Sequence, residues 1–175
     1  MSSHIPLSKL DEGIDKSVEN ATRYLNDALF LYQNKRYQSS ILLSMLSYEE
    51  AGKALLLMDY KMEKKEITKR QWKKRFCSHS MKNLISRRKI WQDAGFVSPI
   101  PDSDVWQARS DVDWKNVFTY TDYDYENLKW TSPMIPKTFG IKDVEHFSHA
   151  AMSKAADALK CIIKRLAEFE KQEKM

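Results

Sequence analysis

The chain of 175 residues is poor in everything that interrupts a helix: it has four glycines and five prolines, and most of the prolines fall between Pro99 and Pro136. Long stretches free of both breakers predict long helices and argue against a many-turned sheet protein. Cysteine is scarce as well. Cys77 and Cys161 are the two present, too few for a disulfide framework and without the spacing of a metal site. No apolar run approaches the roughly 18–20 residues that a membrane span requires. The opening MSSHIPLSKLDEG has no apolar block behind a positive start, so it does not read as a signal peptide, and a cytoplasmic protein with no membrane partner is expected.

Hydrophobic residues make up 42% of the chain, which suits a globular protein rather than a disordered one. The length predicts one all-α domain over residues 1–175, with a helical core over about 9–95 and 141–173 and an irregular insertion over about 96–140. The net charge of +5 is unevenly spread. Residues 61–89 hold twelve Lys or Arg against two Glu, and residues 93–126 hold eight Asp or Glu against two basic residues. A basic block beside an acidic one suggests a surface for a polyanion. The plainer reading is a solvated helix face.

The first helix is expected from about Lys9 to Asn34, where Ile14, Val18, Ala21, Leu25, Ala28 and Tyr32 recur at steps of four and three. Asn34-Lys35-Arg36 interrupts the pattern, and a second helix runs from about Tyr37 to Glu63, so the two form an antiparallel hairpin. The second helix is apolar around nearly its whole circumference, from Ile41 to Met58, which makes it the central one. Its small residues Ser40, Ser44, Ser47 and Gly52 would let neighbours approach closely. A third helical region starts near Thr68, where Thr68 and Gln71 fit a capping box, and stops at Gly95; a break near Cys77-Ser78 would have Ser78 as its new cap. A short helix is expected near 104–116. The last helix spans about Lys142 to Glu173, burying Val144, Phe147, Ala151, Ala155, Ala158, Ile162, Leu166 and Phe169. The result is a bundle of four main helices with a long insertion before the last.

Glu49, Glu50 and Lys53 lie in the same sector of the second helix as Leu42, Leu46, Leu56 and Leu57. Charges on an enclosed apolar face are costly unless they are paired and hydrogen-bonded. Lys53 can reach either carboxylate, at i+3 or i+4, which leaves one negative charge that another helix should meet. On a continuous third helix, Arg75, His79 and Lys82 would share one face, so His79 against Glu49 or Glu50 would restore the balance. A buried network that only fixes helix register explains the same pattern. Arg87, Arg88 and Lys89 read as a solvated run. His146 and His149 read as packing or surface positions, with no metal. His4 falls in a frayed terminus. The aromatic stretch Phe118 to Tyr125 either caps the bundle or stacks on bases.

Taken together, these segments resemble the AbiV-type abortive-infection proteins of the HEPN superfamily. The resemblance lies in Asn20-Ala21, Arg23, Leu25 and Asp27-Ala28 on the first helix, and in Ser47-Tyr-Glu-Glu-Ala-Gly-Lys53, which is similar to the family's EExGK signature. His79-Ser-Met-Lys82 is similar to its H-x-x-K element, and Tyr120-Thr-Asp-Tyr-Asp124 with Trp130-Thr-Ser-Pro133 resembles its Y-x-D-Y and W-x-x-P features. The likeness covers about residues 14–170. It implies a HEPN-like four-helix domain, commonly a homodimer, that defends bacteria against phage by halting the infected cell. Many HEPN proteins are metal-independent ribonucleases with the active site at the dimer interface. Their usual motif separates Arg from His by four to six residues; here three residues separate Arg75 from His79, and the residue separated by four is Lys74.

Under that resemblance His79 is the expected acid or base. Lys82, helped by Arg75, would stabilise the phosphorane charge. Glu49 and Glu50 would orient His79, and Lys53 would hold them. Lys73, Lys74, Arg87 and Arg88 would contact the RNA backbone. No cofactor is required. The alternative is a non-catalytic helical module that binds a phage-encoded activator or a toxin–antitoxin partner such as a nucleotidyltransferase.

Overall fold

The unbroken apolar periodicity of the N-terminal third folds as two long helices, α1 (Leu10–Gln33) and α2 (Tyr37–Met62), in a computed structural model that describes residues 4–93, 122–124, 129–131 and 141–173. Ser47 meets Ala21, Leu57 meets Gly13 and Lys61 meets Asp11, the descending order of antiparallel neighbours. Each helix ends on a left-handed residue that is lysine rather than glycine, Lys35 at φ 58° and Lys64 at φ 50°. Lys35 N–H donates to Tyr32 O at 2.9 Å and Arg36 N–H to Leu31 O at 2.8 Å; Lys64 and Lys65 repeat the pattern on Lys61 and Tyr60, both at 3.0 Å. These paired bonds satisfy the last carbonyls and offset the about 1–2 kcal/mol that a side chain costs in this region.

Helix α2 is central, as its circumference of apolar residues requires: 14 of its 26 residues are buried, and α1 and the helices over His79–Asp93 and Ile141–Glu173 all pack on it. The α1 stripe is inward, with Ile14, Ala21 and Ala28 buried and Val18, Leu25 and Tyr32 half-buried. Ser47 Oγ donates to Ala21 O at 2.7 Å, so a small residue at this crossing also ties the two helices together. The terminus expected to fray is tied down: β1 (His4–Ile5) pairs antiparallel with β2 (Ile67–Thr68), His4 opposite Thr68, because Ile67 is fully buried and holds the edge in place.

The third helical region is not continuous. The expected capping box forms, with Thr68 Oγ1 accepting from Gln71 N–H at 3.1 Å and Gln71 Oε1 accepting from Thr68 N–H at 2.8 Å. It opens one helical turn, α3 (Lys69–Gln71), which widens into a π turn over Trp72–Phe76. There Trp72 stacks on the buried Phe76, with ring centroids 4.6 Å apart. The chain then breaks at Cys77-Ser78. Ser78 Oγ accepts from Met81 N–H at 3.3 Å and starts α4 (His79–Asp93) afresh. Arg75 and His79 therefore do not share a helix face.

The last helix, α5 (Ile141–Glu173), buries Val144, Ala151, Ala155, Ala158 and Ile162, with Phe147, Leu166 and Phe169 half-buried. Within the insertion, β3 (Asp122–Asp124) pairs antiparallel with β4 (Lys129–Thr131), Tyr123 opposite Trp130. The helix expected near 104–116 and the stop at Gly95 lie outside the described residues. No helix among the described residues is long and apolar enough to cross a membrane.

Candidate active site

The site is built where α4 crosses α2, and glycine makes that crossing close. A Cβ at Gly52 would stand 2.2 Å from Lys82 O and 2.7 Å from Ser86 Oγ, so at this position only glycine admits the α4 backbone. Ser86 Oγ in turn donates to Tyr48 O at 3.1 Å. The glycine of the Glu-Glu-Ala-Gly-Lys segment thus sets the distance from α2 to the first turns of α4, and with it the distance from Glu49 to His79 and Lys82.

Two of the predicted charges converge on one carboxylate oxygen. His79 Nδ1 lies 2.5 Å from Glu49 Oε2, and Lys82 Nζ lies 3.6 Å from the same atom. Glu49 is the inward acid of the pair: its side chain is 3% exposed and that of Lys82 is 8%. The His79 side chain is 50% exposed. The carboxylate is therefore buried with its cation, while the imidazole bridges it to the surface. An ionised carboxylate accepts only, so Nδ1 carries the proton and donates to Glu49.

Glu50 faces the other way. Lys53 Nζ bonds both its oxygens, at 2.6 and 2.7 Å, in a half-buried pair within α2. Two carboxylates are thus matched by two lysines, and His79 is not needed as a fixed cation. The Glu49–Lys82 pair is buried, and the imidazole bonded to it reaches from that pair to the surface.

The remaining predicted residues scatter. Arg75, on the π turn, lies with its guanidinium 5.8 Å above the Tyr60 ring rather than in the Glu49 group. Lys73 and Lys74 are exposed on the same turn and line a shallow depression with Lys69 and Arg70. Arg88 is exposed, whereas Arg87 is half-buried beside Tyr48, Ile90, Lys154 and Asp157. Lys89 is not solvated: its Nζ lies 2.6 Å from Asp59 Oδ1, which Arg165 NH1 approaches at 3.7 Å from α5. His146 and His149 are both exposed on α5, His149 with its ring centroid 6.4 Å from that of Tyr32.

Sequence reasoning missed Asp59 and Ser86, and took in Lys69 and Arg70 only as part of the basic stretch 61–89. Asp59 carries a readable signal, a lone acid at the end of an otherwise apolar helix, and Lys69 and Arg70 repeat four residues later as Lys73 and Lys74. Ser86 carries none, since its role depends on where α4 crosses α2.

Among known proteins, searches of curated chains and of solved structures find no match. The family model of AbiV, a HEPN domain family, matches residues 9–152. That span contains α1, α2, α4, the Gly52 crossing and the whole Glu49–His79–Lys82 group, so the chain belongs to the AbiV family of HEPN domains.

Proposed function

We propose that this protein is a metal-independent endoribonuclease that acts in phage defence by cutting RNA of the infected cell. One observation carries the reading: a half-exposed imidazole is held through Nδ1 by a carboxylate that is itself buried and neutralised by a lysine. With Nδ1 committed to Glu49, Nε2 is the atom that exchanges a proton with substrate. In the reaction Nε2 accepts the proton of an RNA 2′-hydroxyl while that oxygen bonds to the adjacent phosphorus. The bond from phosphorus to the 5′-oxygen breaks, and the 5′-oxygen takes a proton from solvent. The products are a 2′,3′-cyclic phosphate and a 5′-hydroxyl. Proton transfer by a positioned histidine contributes about 10²–10⁴-fold.

In this reading His79 is the catalytic residue. Glu49 is a positioning residue that sets the tautomer and the ring plane, and Lys82 pairs with Glu49 on its buried side. Glu50 and Lys53 close the neighbouring stretch of α2. Family membership supports a homodimer, and through it a site completed by the second copy. It also supports action in abortive infection, with a phage-encoded component as the trigger.

The test incubates purified wild-type and His79→Ala protein with total cellular RNA, with and without EDTA. Cleavage by the wild type alone, unchanged by the chelator, is the expected result. Undiminished cleavage by His79→Ala overturns the assignment. Absence of cleavage by either protein favours the non-catalytic module that binds a phage protein or a toxin–antitoxin partner.

A further inference from the structure

Lys69, Arg70, Lys73 and Lys74 line one shallow, open depression on the surface of α3 and the π turn, and all four are exposed. They form two like-charge pairs at i and i+4, Lys69 with Lys73 and Arg70 with Lys74, an arrangement that works against the helix carrying it. Among the described residues none of the four pairs with a carboxylate. The neighbouring acid Glu63 is engaged by Lys65 at 2.8 Å. The depression sits on a π turn, a local distortion that recurs at functional sites, and the same turn directs Trp72 and Phe76 into a stack with each other. The chain leads from Lys74 directly to His79. Four clustered, exposed cations that meet no carboxylate attract an anion from outside the chain.

We propose that this depression binds the sugar–phosphate backbone of single-stranded RNA and feeds it toward His79. The choice of RNA as the ligand rests on the ribonuclease reading. A lipid surface is disfavoured because an interfacial helix sets its cations beside an exposed apolar face, whereas here the adjacent aromatics pack on each other and Phe76 is buried. The contact set differs from the one that the sequence suggested: Lys73 and Lys74 remain, Lys69 and Arg70 join them, and Arg87 belongs to a different hollow.

The test uses His79→Ala as a non-cleaving background and reads binding of a fluorescent single-stranded RNA by anisotropy over a salt series. Converting Lys69, Arg70, Lys73 and Lys74 to Gln should weaken binding at least roughly tenfold at low salt and flatten the log–log salt slope by about 3, the value for four phosphate contacts on a single strand. A charge-matched control, with the exposed Lys16, Lys35, Arg36 and Lys160 converted to Gln, should bind as the background does. Equal binding by the depression variant, or equal weakening in the control, overturns the proposal. So does a loss confined to binding of phosphatidylglycerol vesicles with RNA binding intact. Thermal melting of both variants checks the fold, and relief of the like-charge pairs predicts no loss there. The two readings fail separately: wild type that binds RNA through these four cations without cutting it removes the ribonuclease and leaves the surface. Wild type that cuts RNA while the depression variant binds and cuts equally well removes the surface and leaves the ribonuclease.

Discussion

Helices α2 and α4 share two ion groups, one buried around Glu49 and one half-buried around Asp59. Near the start of α4, Glu49 is met by Lys82 and by His79, which reaches from the buried carboxylate to the surface. Near its end, Asp59 is met by Lys89 and by Arg165, two permanent cations whose side chains are 12% and 15% exposed. The second group ties α2, α4 and α5 together through two cations. The first ties α2 to α4 and includes an imidazole, the side-chain type suited to acid–base work. Both obey the same rule, that a charge withdrawn from water needs a partner. What separates a structural group from a chemical one is whether a partner of that type also meets solvent.

That distinction can be broken by substitution at each group. The largest effect expected is on catalysis: His79→Ala should lower RNA cleavage by about 10²–10⁴-fold and leave the melting temperature nearly unchanged, as read by gel assay and circular dichroism. Asp59→Asn should do the reverse. It leaves Lys89 and Arg165 without their carboxylate and should cost about 1–2 kcal/mol in a denaturant melt, since the group is half-buried, with cleavage per folded molecule intact. If Asp59→Asn abolished cleavage in the folded protein, the two groups would not be separable.

Gly52→Ala probes the crossing that both groups share. With a methyl directed at the Lys82 carbonyl, overpacking should cost about 1–3 kcal/mol. Because α4 must retreat from α2, cleavage should fall beyond what the lost stability explains. Wild-type activity in Gly52→Ala would show that the Glu49–His79 contact tolerates a wider spacing.

The smallest effect belongs to an exposed ion group. The Glu12 carboxyl is held down to about 2 from its ordinary 4.5 by hydrogen bonds from Lys16 and then Lys9. Its folded pKa is depressed, so its contribution to stability is present above pH 4.5 and is lost as pH falls toward 2. Glu12→Gln should melt slightly below wild type at pH 6 and coincide with it near pH 2. A gap that persists at pH 2 would mean that the pair contributes by something other than charge. Solvent screening keeps this effect small beside the Glu49 and Asp59 groups.

Much of the bundle was legible in the residues themselves. The steps of three and four from Ile14 to Tyr32 forecast the buried face of α1, and the apolar circumference of α2 forecast its central position. The uncompensated charge on α2 called for a partner from another helix, and Lys82 supplies the cation while His79 bonds the same carboxylate. The placement of Arg75 is open in the sequence: the residues allow either one continuous helix, with Arg75 and His79 on a shared face, or a break near Cys77-Ser78 capped by Ser78, and the structure takes the break. From sequence alone Lys89 is misread. A run of three cations looks solvated until an acid on another helix is known to lie opposite one of them.

Local spacing along the chain specified the long helices, their apolar faces, the position of the capping box and the need of the α2 charges for outside partners. All of these follow from local spacing, because a helix converts position along the chain into direction around an axis. Helix packing was needed to fix that Glu49 rather than Glu50 turns toward His79, that Arg75 lies over Tyr60 instead, and that Asp59 gathers two cations from different helices. Adjacent residues on a helix differ by about 100° in direction, and which direction holds a partner depends on where the neighbouring helix crosses. That crossing is set at Gly52, where the missing side chain lets the backbone of α4 come close enough for one carboxylate, and not its neighbour, to reach the imidazole.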